Sequence, residues 1–226
     1  MGETGDAVAV GGELLSATIK RVILDRIRAG HYEPGERIVE LRLAKELGTS
    51  QSPVREALRD LAGIGVVTVH SRRGARVRQP TSKDLADVSL VRSEIDAMAA
   101  QLATPLMHDE AVEQLATACT EMAESLAEHD YVRMTQADAR FHRIIALQSD
   151  NSAVLRVFDQ LEPFARTFIT LTMPNTDVGA VVGEHEQILS AIREGDATLA
   201  AQRARIHQLN VSALFRRHYP DPPAAD

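Results

Sequence analysis

Apolar positions in the first third of the chain recur at helical spacing and then give way to short β-like runs. Leu15, Ile19, Val22, Ile23 and Ile27 mark one face of a helix predicted over residues 14–29, and Gly30 is its stop signal. Pro34-Gly35 sets a turn. VELRLAKEL (39–47) predicts a short second helix, closed by Gly48. Ser50 is the candidate N-cap of a third, and Pro53 is tolerated in its first turn. That helix should bury Val54, Leu58, Leu61 and Ile64. VVTVH (66–70) and ARVRQ (75–79) then read as two strands around SRRG, with Gly74 giving the backbone freedom a hairpin needs.

After Gln79-Pro80 the texture changes. TSKD (81–84) is a capping signature, and helical patterns follow over about 82–103, 109–129, 130–149, 151–173, 180–194 and 196–218. Pro105, Asp150-Asn151, the PNTDVG segment and Gly195-Asp196 punctuate them, and no sustained alternation predicts a sheet. The expected fold is mostly α: an N-terminal winged helix-turn-helix with a small β-hairpin, followed by an all-α helical bundle. The expected segments are a flexible leader (1–13), the winged helix-turn-helix domain (14–79), the all-helical domain (80–219) and a flexible tail (220–226).

Composition narrows the class. A chain with 44% hydrophobic and 25% charged residues is ordinary for a globular protein, and no apolar run reaches membrane-spanning length, so no membrane partner is expected. MGETGDAVAVGGE lacks the basic start and apolar core of a signal peptide. The single cysteine, Cys119, has no internal disulfide partner, fits a reducing cytoplasm and reads as a small packing residue. The net charge of −7 hides an asymmetry: residues 14–80 carry 13 Lys/Arg against 7 Asp/Glu, whereas residues 81–226 carry 12 against 22. The basic half is therefore a candidate for nucleic acid.

Two helices joined by a tight turn at Gly48 form a helix-turn-helix whose second helix would lead into the major groove with its N-terminal residues. Those are Ser50, Gln51, Ser52 and Arg55. Gln pairs with adenine, Arg with guanine or phosphate, and Ser with base or backbone. Arg72 and Arg73 in the wing would face flanking phosphates or the minor groove. Glu56 and Arg59 read as intradomain partners. The run from PGERIVELRLAKELG through SQSPVREAL to RRGARV resembles the winged helix of the GntR family of bacterial transcription regulators, over about residues 14–79. The resemblance implies a homodimer on double-stranded operator DNA with inverted half-sites. Gln51 stands where family members often carry Arg, which implies a different base preference.

The acidic half raises a second chemistry. ADARFH (137–142) sets Asp138 one helical turn before His142, on or beside the apolar stripe of Tyr131 and Ile145. His185 falls among Val181, Val182, Ile188 and Leu189, and His207 among Ala200, Ala204, Val211 and Leu214. A lone inward histidine reads as a core residue with a hydrogen-bond partner. Three inward histidines and an aspartate leave several polar groups to satisfy, and one shared ion would do so. Imidazole and carboxylate donors suit a divalent transition metal, Zn²⁺ first and Ni²⁺ second. His31, His70, His108, His129 and His218 read as surface residues.

RSEID (92–96), DARFH (138–142), EHEQILSAIREGD (184–196) and the late His207 resemble, in that order, the helical effector (FCD) domain of the fatty-acid-regulator branch of the GntR family. Asp96 stands where members often carry Glu. The resemblance assigns metal ligation to Asp138, His142, His185 and His207, and implies no catalytic residues. Open coordination positions would suit a small carboxylate metabolite, with Arg92 as candidate clamp and Asn210 as a second ligand-binding candidate. The expected function is a ligand-responsive regulator and repressor rather than an enzyme. A metal that is itself sensed, a purely structural metal, and a metalloenzyme with an attached DNA-binding domain are the alternatives.

Overall fold

The computed structural model describes residues 6–70, 74–172 and 177–219. The chain divides into two compact units, Met1–Gln79 and Pro80–Asp226.

The first unit runs α1 (Asp6–Arg28), β1 (Arg37–Ile38), α2 (Glu40–Glu46), α3 (Gln51–Gly63), β2 (Val67–His70) and β3 (Gly74–Val77). Ile19, Ile23, Leu24 and Ile27 bury one face of α1, while Leu15, assigned to that face from spacing, is exposed. The helix begins at Asp6, within the stretch read as a leader. Gly48, at φ +64°, turns α2 into α3. The turn is a Schellman motif: Thr49 N–H donates to Ala44 O (2.9 Å) and Gly48 N–H to Lys45 O (3.3 Å). Val54, Leu58 and Leu61 are fully buried on α3, and Ile64 is half-buried.

The sheet is antiparallel in the order β1-β3-β2, with Val67 opposite Val77 and His70 opposite Gly74. β1 is a two-residue strand that pairs Ile38 with Ala75. It escaped the sequence pattern because two residues cannot display an alternation. At Gly74 the φ is +78° and an added Cβ would lie 3.4 Å from the Ile38 carbonyl oxygen. The 3.4 Å is ordinary van der Waals contact, so it is the positive φ that favours glycine there.

The second unit is helical: α4 (Ser82–Ala103), a 3₁₀ turn (Thr104–Leu106), α5 (Asp109–Ala127), α6 (Tyr131–Gln148), α7 (Ser152–Thr172), α8 (Gly179–Arg193) and α9 (Ala197–His218). The capping box at its start is formed: Thr81 Oγ1 accepts from Asp84 N–H (3.1 Å), and Asp84 Oδ2 accepts from Thr81 N–H (2.9 Å). Asp130 and Asp196 cap α6 and α9 by accepting from Arg133 N–H and Leu199 N–H, without the reciprocal bond. The core gathers Leu115, Met122, Phe141, Ile145, Phe158 and Leu189, with small alanines of α4, α6 and α9 letting the backbones approach. Helix α4 packs along α9 and α6, and α8 along α9. This brings the inner faces of α4, α6, α8 and α9 to one place.

Candidate metal centre and nucleic-acid face

Helix α6 supplies Asp138 and His142, α8 supplies His185, and α9 supplies His207. One ligand atom from each of the four lies within 4.8 Å of the others. His142, His185 and His207 are 4%, 1% and 1% exposed, and the Asp138 side chain 25%. Phe141, fully buried, sets its ring edge-on against both His142 and His185.

The outer nitrogens decide what the inner ones present. His185 Nδ1 lies 3.0 Å from the Val182 carbonyl oxygen, which can only accept. His207 Nδ1 lies 3.0 Å from Glu184 Oε2. His142 Nδ1 faces Asp96 Oδ2 at 3.5 Å. Each Nδ1–H therefore points to an oxygen acceptor, and each Nε2 lone pair is left for the interior. His142 Nε2 and His185 Nε2 are 3.2 Å apart, and His185 Nε2 is 3.1 Å from Asp138 Oδ1. Lone pairs converging at these distances repel unless a cation lies among them. Oxygen acceptors behind imidazole ligands are the usual outer shell of a metal site.

The electrostatics agree. Burial lowers the pKa of His142 well below its ordinary value, outweighing the opposing Asp138 charge. Burial, then His185, lowers that of His207. Neutral imidazoles are the ligating form. The donor set fits a divalent transition ion, which would supply a positive centre for an anionic ligand.

In the first unit, Ser50, Gln51, Ser52 and Arg55 are exposed at the start of α3. Ser50 occupies the N-cap position but its side chain makes no capping hydrogen bond, so its hydroxyl is not spent on the helix. Arg55 is held by Glu40 at 3.1 Å, and Ser52 Oγ donates to Glu56 (3.4 Å). Beside them a cleft of about 600 Å³ is lined by Arg37, Arg55, Arg59 and His70 among others. Arg72 and Arg73 lie outside the described residues.

Residues 87–210 match the FCD domain, and residues 15–77 match "Bacterial regulatory proteins, gntR family". The chain is a GntR-family transcription regulator. The probable D-xylose utilization operon transcriptional repressor of Paenarthrobacter nicotinovorans is 29% identical over 193 residues, covering 85% of each chain. The gluconate operon transcriptional repressor of Bacillus subtilis (strain 168) is 29% identical over 189 residues, covering 81% of this chain and 76% of its own. The fold is shared with E. coli McbR/YncC at a TM-score of 0.78, with 20% identity, covering 90% of this chain and 98% of that one. Family and relatives are transcription regulators, not enzymes.

The two candidate ligand residues of this GntR-family regulator each bond a carboxylate beside the cluster. Arg92 is 3% exposed, donates to Asp96 Oδ2 at 3.1 Å and lies over the Phe158 ring, 5.5 Å from its centroid. Its Nε is buried without a hydrogen-bond partner. Asn210 is exposed, and its amide donates to Glu184 Oε1. Thus Arg92 sits behind His142 through Asp96, and Asn210 sits behind His207 through Glu184. Two further residues, Glu184 and Gln208, support the site. Glu184 adjoins His185 in sequence and so points some 100° away from it around α8; only the approach of α9 brings it to His207. Gln208 reaches Asp96 (2.7 Å) only because α4 lies against α9. No local signal marks either role.

Proposed function

We propose that this regulator binds operator DNA as a homodimer and that a divalent transition metal in its FCD domain, zinc in the first instance, holds a small carboxylate effector. The observation that carries the reading is the convergence of three histidine Nε2 atoms and Asp138 Oδ1, with every histidine Nδ1 facing an oxygen. Asp138, His142, His185 and His207 hold the ion. The ion is Lewis-acidic and would bind a carboxylate that the buried aspartates would otherwise repel. Ser50, Gln51, Ser52 and Arg55, with Arg72 and Arg73 of the wing, contact DNA.

Response to the effector requires unequal affinity for the DNA-competent and DNA-incompetent states, since a ligand that binds both equally shifts nothing. The test is an operator-binding titration with metal-free and zinc-loaded protein, each with and without a panel of carboxylates. Affinity that changes with a carboxylate only when zinc is present supports the proposal. Affinity that follows the metal alone makes the ion the signal. Indifference to both leaves the ion a structural role.

A further inference from the structure

A small cavity of about 40 Å³ reaches the metal cluster at Asp138 and His185. Its other walls come mainly from apolar side chains, among them Ile169, Val181, Val211 and Leu214. Its remaining hydroxyl, that of Thr135, is already bonded to Thr170 Oγ1 at 2.8 Å and to the carbonyls of its own helix. Among the described residues, no Lys or Arg lines it.

We infer that the effector of this chain is a short aliphatic monocarboxylate, of two to about four carbons, rather than a sugar acid or a di- or tricarboxylate. This rests on the metal–carboxylate reading and narrows it. A space of 40 Å³ holds the centres of about three waters. That suits acetate, propionate or butyrate in size. A single carboxylate can be neutralised at the ion that Asp138 and His185 help to hold. A second carboxylate would find no cation in these walls and would face the Asp138 charge. The hydroxyls of a sugar acid would be buried against valine, isoleucine and leucine without partners; one such hydroxyl costs an apolar pocket only about 100-fold, but a sugar acid carries several, and it also exceeds the space. The aliphatic tail of a monocarboxylate needs nothing more than these walls offer. The selectivity is thus the reverse of what gluconate would require, although two relatives are named for the gluconate operon.

The test is calorimetric titration of zinc-loaded, full-length protein with acetate, propionate, butyrate, hexanoate, gluconate and citrate. Affinity should peak at three or four carbons and fall by about 10-fold or more at hexanoate, gluconate and citrate. Val181→Leu should move the optimum about one carbon shorter and leave the visible spectrum of the cobalt-substituted protein unchanged. Zinc-dependent binding that favours gluconate or citrate overturns the chain-length inference and leaves the metal–carboxylate reading standing. So does a Val181→Leu profile identical to the parent's. Propionate binding that is equal in metal-free protein, or absent for every acid in both forms, overturns both.

Discussion

His142 and His185 face each other through Nε2 atoms 3.2 Å apart, although they come from different helices and neither nitrogen has a hydrogen to spare once both Nδ1 atoms donate outward. A cation between them turns that repulsion into coordination. Zinc-loaded protein should therefore be more stable than chelated protein. With free metal at about a thousand times its Kd, mass action gives about 4 kcal/mol. For a chain of this size that raises Tm on the order of 10 °C. Thermal melts with and without a chelator measure it, and Asp138→Asn or His185→Ala should abolish the difference. An equal Tm in both forms would sink the metal assignment.

Glu184 orients His207 without touching the centre. Glu184→Gln keeps an acceptor but removes the charge behind His207 Nδ1, and metal affinity should fall about 10- to 100-fold. The helical content should be unchanged, as circular dichroism would show. Competition against a chromogenic chelator reads the affinity; parent-like competition would remove Glu184 from the outer shell.

Arg92 and Asp96 are both 4% exposed in their side chains and form an ion pair at 3.1 Å. Truncating one partner leaves an unpaired buried charge. Arg92→Ala should cost about 3–5 kcal/mol in urea unfolding, and Arg92→Met with Asp96→Asn, which keeps an acceptor for Gln208 and His142, considerably less. Burial raises the Asp96 pKa in spite of Arg92, so losing the cation should favour the protonated acid further. Equal losses for the single and the double variant would contradict this account.

Gln51 is exposed at the first position of α3. Gln51→Ala should cost about 1–3 kcal/mol of operator affinity and relax preference at one base pair per half-site, with stability unchanged. Binding across a panel of single-base operator variants shows it. A uniform loss at every sequence would instead place Gln51 on the phosphate backbone.

Cys119 is 5% exposed, and burial together with Glu186 pushes its thiol up to about 12. The folded state therefore retains the proton far above the pH at which the unfolded chain releases it. Reaction with a thiol reagent at pH 8 should be negligible in the native protein and complete in denaturant. Stability should fall as pH rises past the unfolded thiol's pKa, about 8.5, toward 12. Rapid native labelling at pH 8 would show that the site opens.

The capping box at Thr81, the stops at Gly30 and Gly195 and the period of α3 lie in contiguous residues, so local sequence is enough to specify the helices and the winged helix-turn-helix. It also determined that Asp138, His142, His185 and His207 point inward, because helical period fixes a face. What it left open was decided by which faces meet. The strand β1 exists only because Ile38 finds Ala75. Leu15 is exposed although its spacing matches the buried face of α1. Glu184 and Gln208 joined the site because α4, α8 and α9 pack together, whereas the Arg92–Asp96 pair lies one turn apart within α4 itself. Local period sets the direction of a side chain along its own helix. Only tertiary packing sets which partner stands in that direction, and so whether a polar group is a ligand, a support for one, or a wall of the cavity beside it.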